Sequence, residues 1–142
     1  EKICIRLIGD KKTLIDEPWI EKVNWIADNE VHQLNQLDIG VMPLPADEWS
    51  KGKCGFKAIQ YMSLEIPSVV SPVGVNTEIV QHGINGFLAR SEEEWYKLLS
   101  MLIESKELRI KLGKAARKTI IARYSLQSQI PLLVDKLKAL VT

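Results

Sequence analysis

Cysteine, histidine and net charge are all scarce in this sequence. The cysteines are Cys4 and Cys54, fifty residues apart, and the histidines are His32 and His82. No CxxC pair, His–Cys cluster or HExxH motif connects them. A disulfide framework and a zinc site are therefore disfavoured, and two reduced thiols in a cytosolic chain are the plainer reading. No apolar run approaches the ~20 residues that a bilayer span requires. No secretory signal is recognisable, and because Glu1 is not an initiator methionine the expectation is a natural N-terminus further upstream. Nineteen basic and 18 acidic side chains nearly cancel. That balance speaks against a general nucleic-acid or membrane-surface binder, which needs a broad basic field.

What is present describes one globular domain. The 142 residues are 46% hydrophobic and 26% charged, enough to bury a core without covalent staples. Short apolar runs alternate with segments of helical periodicity. Strands are expected at Ile3–Ile8, Val23–Ile26, Ile39–Met42, Ser68–Ser71 and Phe87–Ala89. A loop with a short helix is expected over Lys11–Glu21, and a polar loop over Ala46–Gly52. Helices are expected from Asn29 through Leu37, over Gly55–Leu64, and as a short turn at Thr77–Gln81. Ser91 and Glu94 form a capping box ahead of the apolar stripe Trp95, Leu98, Leu99, Leu102 and Ile103. Two more helices follow, Lys106–Ile121 and Leu126–Leu140. Alternation of this kind implies an α/β fold, a Rossmann-like three-layer parallel sheet. The domain reading is strand–helix alternation over 1–90 and a helical tail over 91–142, too poor in elements to bury a core of its own.

Chemistry concentrates in residues 51–62. Gly52 and Gly55 flank the start of a helix that follows a buried strand, and Lys51, Lys53 and Lys57 crowd the same turn. In open α/β sheets ligands bind beyond the carboxyl ends of the strands, where unpaired helix amides favour phosphate. Cations at a helix N-terminus are disfavoured by ~0.3–1 kcal/mol each, a penalty that a bound anion removes. Lys53, Lys57 and Gln60 recur at i, i+4 and i+7, one helical face. Against this stands the plain alternative of solvated loop lysines, at about even odds on the residues alone. Gly74 follows the next strand and holds the corresponding place at the sheet edge. A tight turn with an Asn/Thr helix cap is the favoured reading there.

In order and spacing, these segments resemble the C-terminal, donor-binding domain of the retaining glycosyltransferases of family 4, which have the GT-B fold. Leu7-Ile8-Gly9-Asp10 is similar to the family's second strand of that domain, and Asp38-Ile39-Gly40-Val41-Met42-Pro43-Leu44 to the strand before the donor loop. Gln60-Tyr61-Met62-Ser63-Leu64-Glu65-Ile66-Pro67 resembles the family's Glu-Ala/Tyr-Met-Ala-x-Gly-x-Pro. Gly74 through Glu78-Ile79-Val80, with Gly83-Ile84-Asn85-Gly86-Phe87-Leu88, resembles Gly-x-x-Glu-Ile-Val followed by Gly-x-Asn-Gly-x-Leu.

The resemblance implies transfer of a sugar from a nucleotide diphosphate sugar to a glycan or lipid-linked acceptor, with retention and with no metal or other cofactor. It implies donor contacts from Lys53, Gly55, Phe56, Lys57, Gln60 and Gly74, and places Trp25 and Ile26 near the base. For Trp25, a core position is the more frequent outcome by about two to one. Two departures stand out. Where the family has two glutamates with seven residues between them, for donor sugar and ribose, this chain has Gly52 and Gln60. Gln60 can still bond a ribose hydroxyl, whereas Gly52 offers the sugar no side chain, leaving the catalytic residue unassigned, with nearby Glu48 or Lys51 as substitutes. Glu65 replaces the glycine after the helix and would carry strain at positive φ.

The resemblance further implies that a first strand and helix, and an N-terminal acceptor domain, are missing. A fragment of this kind is expected to be inactive alone and to close its open strand edges by rearrangement, swapping or dimerisation. The expected setting is bacterial cell-envelope polysaccharide synthesis, in the cytoplasm, with the full-length enzyme peripheral to the inner membrane and no nucleic-acid partner. Three alternatives stay open: an epimerase or inverting transferase of the same fold, a pseudo-enzyme lacking the sugar-contacting glutamate, and a non-catalytic doubly wound module. The response-regulator form of the last needs an acidic cluster that Asp10, Asp38 and Asp47 do not form.

Overall fold

In a computed structural model the described residues are 3–9 and 14–140. The chain divides into two compact units, Glu1–Leu37 and Asp38–Thr142. The first unit contains strands β1 (Ile5–Ile8) and β2 (Ile20–Val23), a 3-10 turn at Ala27–Asn29 and helix α1 (Glu30–Leu34). β1 and β2 pair in parallel, Ile5 opposite Ile20 and Ile8 opposite Val23. Arg6 on β1 holds the Glu21 carboxylate of β2 at 2.7 Å. The second strand lies three residues earlier than expected, with its two end residues, Ile20 and Val23, half-buried and Trp25 and Ile26 exposed beyond it. No helix forms between residues 14 and 21. Pro18 lies in a turn there, and Glu17 accepts the Ile20 amide at 2.9 Å. Asp10, which completes the Gly-Asp pattern, and residues 11–13 fall outside the described residues.

The second unit contains β3 (Gly40–Met42), α2 (Glu48–Lys51), α3 (Phe56–Ser63), β4 (Ser68–Val70), α4 (Asn76–Ile79) and β5 (Phe87–Leu88). Three longer helices follow, α5 (Glu92–Glu104), α6 (Lys106–Arg123) and α7 (Leu126–Ala139). Strands β3, β4 and β5 form a parallel three-stranded sheet in that order. Adjacent residues of a strand face opposite sides, and both sides are covered. Val70 and Leu88 pack with Ala58 and Met62 of α3, Ile79 of α4, and Ala116 and Ile120 of α6. Val69, Phe87 and Ala89 pack with Leu98 and Leu102 of α5 and Leu112 of α6. This is the expected three-layer arrangement, although the strands belong to two separate parallel sheets instead of one.

Local sequence accounts for most helix boundaries. Ser91 Oγ accepts the Glu94 amide at 3.2 Å, and Glu94 returns a carboxylate oxygen to the Arg90 amide at 2.7 Å. The capping box therefore forms, with its second arm one residue upstream of the usual place. Ser105 and Ser125 cap α6 and α7 in the same manner. Among the described residues the one unexpected helix is α2, inside the segment read as a polar loop. Its cap is Asp47, whose carboxylate accepts the Ser50 amide at 2.7 Å.

Candidate functional site

Because β3 and β4 run parallel, the segments leaving their carboxyl ends emerge along one edge of the sheet. A hydrogen bond joins them: the Leu44 amide after β3 donates to Ser71 Oγ after β4 at 2.9 Å. Asn76, 1% exposed at the start of α4, fixes the second segment by donating to the Ser71 carbonyl at 3.0 Å. Tyr61 of α3 holds the base of the first. Its ring fills the space beside Gly40, where a Cβ would come within 2.4 Å of the ring, and its hydroxyl donates to the Val41 carbonyl at 3.3 Å. Burial raises the Tyr61 phenol above its ordinary pKa. The Ser50 amide, and secondarily its side chain, hold the exposed Asp47 carboxyl below its ordinary value.

The helix start expected near residue 55 lies at this edge. Gly55 precedes α3 at φ +67°, and a Cβ there would stand 2.4 Å from Ile79 Cδ1. Glycine is thus required twice, by conformation and by the close approach of α4. Gly55 also supplies no side-chain cap. Among the described residues the backbone amides of Cys54, Gly55, Phe56 and Ala58 donate to no acceptor. Gly55 is buried and Ala58 is 0% exposed, so two of these donors are also withdrawn from bulk water. Buried backbone donors without partners are rare in folded proteins.

The side chains divide differently from the expected face. Lys57 Nζ donates to Gln60 Oε1 at 2.8 Å, so these two do share a side of α3. Lys53 is exposed but precedes the helix, and the left-handed turn at Gly55 takes it off that face. Phe56 is exposed. Lys51 Nζ pairs with Glu48 Oε1 at 2.6 Å on the outside of α2, so the two residues weighed as substitutes for the missing glutamate neutralise each other. Gly52 is exposed with ordinary right-handed φ −77°, and the nearest atom to a Cβ there is the Trp49 carbonyl oxygen at 3.5 Å. Nothing local demands glycine at this position. Gly74, by contrast, has φ +54°, and its Cβ position lies 2.5 Å from the Lys51 carbonyl oxygen. The space over Gly74 is therefore filled by α2 backbone, and its glycine serves the contact between the two edge segments.

The remaining candidates belong to the first unit. Trp25 is half exposed, and its Nε1 donates to Glu30 Oε1 at 3.1 Å. Its Cβ lies 3.2 Å from the Cβ position of Gly9, which has φ +81°. Ile26 beside it is exposed. Sequence reasoning passed over Ser71, and weighed Asp47 only as a member of an acidic cluster and Asn76 only as a helix cap; all three shape the edge. Their signal was available in part, since Asp47 stands three residues before Ser50, and Asn76 follows the Gly74 turn. Among the described residues no group of three or more His, Cys, Asp or Glu side chains could hold a metal ion. No helix of the described residues is long and apolar enough to cross a membrane.

A parallel three-stranded sheet covered by helices on both sides, with glycine-shaped turns at its carboxyl edge, places the second unit in the doubly wound α/β class. The sequence profile described as Glycosyl transferases group 1 matches residues 3–105, and the chain belongs to that family. It is similar to the C-terminal domain of a group 1 glycosyl transferase, LpcC, from Francisella tularensis, with 26% identity and a TM-score of 0.60 over 76% of this chain and 55% of that one. It resembles Anabaena HepE in complex with UDP and glucose, with 19% identity and a TM-score of 0.70 over 87% of this chain and 33% of that one. A glycosyltransferase from Rickettsia africae shares 18% identity with a TM-score of 0.73, over 88% of this chain and 33% of that one. The latter two likenesses concern the fold. The chain spans 55% of the first of these proteins and 33% of the other two. No curated protein sequence matches it.

Proposed function

We propose that this chain is the donor-binding part of a family 4 type glycosyltransferase. The whole enzyme would move a hexose from a nucleotide diphosphate sugar to a glycan or lipid-linked acceptor, with retention and without a bound metal. The observation that carries the reading is the start of α3, where amides of Gly55, Phe56 and Ala58 lack acceptors at the carboxyl edge of the sheet. A diphosphate supplies anionic acceptors for such donors, and a left-handed glycine lets it come close. The UDP and glucose in the complex of HepE, a protein of similar fold, agree with this ligand class.

In this reading the Gly55 and Phe56 amides and the Lys57 ammonium receive the charge that develops on the leaving diphosphate, which is electrostatic stabilisation of a transition state. Lys53 adds positive potential from solvent. Gln60, released from Lys57 by the incoming phosphate, turns its amide to a ribose hydroxyl. The sugar contact that the family takes from a glutamate is not offered by Gly52. This favours one second reading, a member that binds nucleotide without turnover. The cellular setting we propose is the bacterial cytoplasm, with an acceptor-binding domain completing the enzyme.

A thermal-shift series with UDP, GDP, ADP and dTDP tests the site. A ligand at about one hundred times its Kd adds about 2.7 kcal/mol of stability, a rise of several degrees. Lys57→Ala is expected to weaken binding of the stabilising nucleotide about tenfold, the loss of one charge-assisted contact, whereas Lys136→Ala leaves it unchanged. Stabilisation by none of the four, or equal losses in both variants, overturns the proposal. Donor binding by the complete enzyme without sugar transfer selects the second reading.

A further inference from the structure

Each of the three arginines of α6 donates to the carboxyl end of a different helix. Arg109 Nη1 reaches the Leu102 and Ile103 carbonyls in the last turn of α5, at 2.7 and 3.1 Å. Arg117 Nη1 donates to the carbonyl of Ser63, the final residue of α3. Arg123 Nη1 donates to the Glu78 carbonyl, near the end of α4, at 3.3 Å. The last carbonyls of a helix have no partner within it and carry partial negative charge, which a guanidinium offsets. At the end of α3 the work is divided. The Glu65 and Ile66 amides take the Met62 and Tyr61 carbonyls, at 3.3 and 3.0 Å, and Arg117 takes the carbonyl that follows. Its Nε also lies 3.9 Å from the Glu65 carboxylate.

Two of these three contacts bear on the carboxyl edge of the sheet. α3 and α4 meet there, so closely that a Cβ on Gly55 would stand 2.4 Å from Ile79 Cδ1, 3.1 Å from Asn76 Oδ1 and 3.2 Å from Val75 Cγ2. Arg123 holds the carbonyl of Glu78, the residue before that isoleucine. Arg117 holds the opposite end of α3, whose eight residues span about 12 Å. Between the two arginines, Ala116 and Ile120 pack with Ala58 and Met62 of α3 and Ile79 of α4. A short hydrogen-bonded helix moves as a stiff rod, so fixing its carboxyl end fixes the direction of the amides at its start. Arg109 stands apart from this arrangement. Its helix, α5, covers the other side of the sheet, against Val69, Phe87 and Ala89.

We infer that Arg117 and Arg123 are positioning residues of the donor site. They hold α3 and α4 to α6 from behind, so that the Gly55 and Phe56 amides stay aimed at one place beyond the sheet edge. They act through the two helices and not through the ligand. Donors fixed in advance need no reorganisation when a diphosphate arrives, and a displacement of about 1 Å in such groups costs up to about a hundredfold. This role rests on the reading of the Gly55 turn as a diphosphate site.

Amide NMR of the 142-residue chain and calorimetric titration with UDP test it. Methionine keeps an apolar stem and removes the donors. Arg117→Met and Arg123→Met are expected to move the Gly55 and Phe56 amide resonances in the unliganded chain. Each should also weaken UDP binding about tenfold. Arg117→Lys and Arg123→Lys, which restore the single N–H that each carbonyl receives, should recover most of that affinity. Arg109→Met is the comparison for a purely structural loss. It should lower the melting temperature by a few degrees, as the other two do, and leave both resonances and UDP affinity unchanged. Arg117 and Arg123 are exposed, and circular dichroism verifies that the variants stay folded. Resonances and affinity that ignore both arginines, or that respond equally to Arg109→Met, overturn the inference and leave the donor reading in place. Failure of the unsubstituted chain to bind UDP overturns the donor reading and the role at that site with it; resonances that still follow Arg117 and Arg123 then mark this as the failure of the ligand, not of the contacts.

Discussion

At the amino edge of the three-stranded sheet, α6 crosses the chain just before β4. Gly113 lies so close to that segment that a Cβ would stand 1.9 Å from the Glu65 carbonyl oxygen. At the carboxyl edge Gly52 sits in solvent with ordinary backbone angles and nothing nearer than 3.5 Å to its Cβ position. One glycine is needed because two backbones meet; the other is not needed by the fold. The amino edge also holds Glu65 at φ +60°, the one described non-glycine residue with positive φ. Its side chain has only an exposed contact with Arg117 at 3.9 Å in exchange. The amino edge is therefore closed and strained, whereas the carboxyl edge keeps open positions and unmatched amides. Close packing rejects added volume where backbone meets backbone, so tolerance to substitution should separate the two edges.

The largest effect is expected from Gly113→Ala. The methyl group would meet a backbone carbonyl that cannot rotate away, and overpacking of this kind costs about 3 kcal/mol, more than alanine's helix preference of about 1 kcal/mol returns. Urea denaturation measures it, and a neutral result would show that α6 can slide and that the amino edge is not closed. A smaller change of opposite sign is expected from Glu65→Gly. Release of left-handed strain outweighs an exposed ion pair worth at most about 1 kcal/mol, giving a net gain of about 1 kcal/mol in the same measurement. A loss would locate Glu65 in a stronger interaction than its geometry indicates. The smallest change is expected from Gly52→Glu. With an allowed conformation and free space, stability should stay within about 0.5 kcal/mol. A larger loss would erase the difference between the edges.

Much of the α/β pattern was legible because the signals are local. The stripe of α5, the Ser91 cap and the buried runs Val69-Val70 and Phe87-Leu88 depend on neighbours within a few residues. The region around Gly55 was legible for the same reason: a glycine before a helical run, followed by Lys57 and Gln60 one turn apart. Local signals misled at β2, where Trp25-Ile26 offered a stronger apolar pair than Ile20 and Val23, and at α2, where one aspartate cap outweighed a polar composition. Gly74 was legible as a glycine but not in its purpose. Its partner is the Lys51 carbonyl, and no spacing rule links those two positions.

By itself the sequence determined the parallel α/β pattern, most of the helix starts and the family, because each rests on short-range periodicity, capping and motif order. Tertiary structure alone decided which glycines are indispensable, that Ser71 ties the two edge segments together, and that Glu65 is held in a left-handed turn. It alone showed that the arginines of α6 reach the ends of three other helices. Each of these depends on what a distant part of the chain places within a few ångströms, and side-chain periodicity carries no record of that distance.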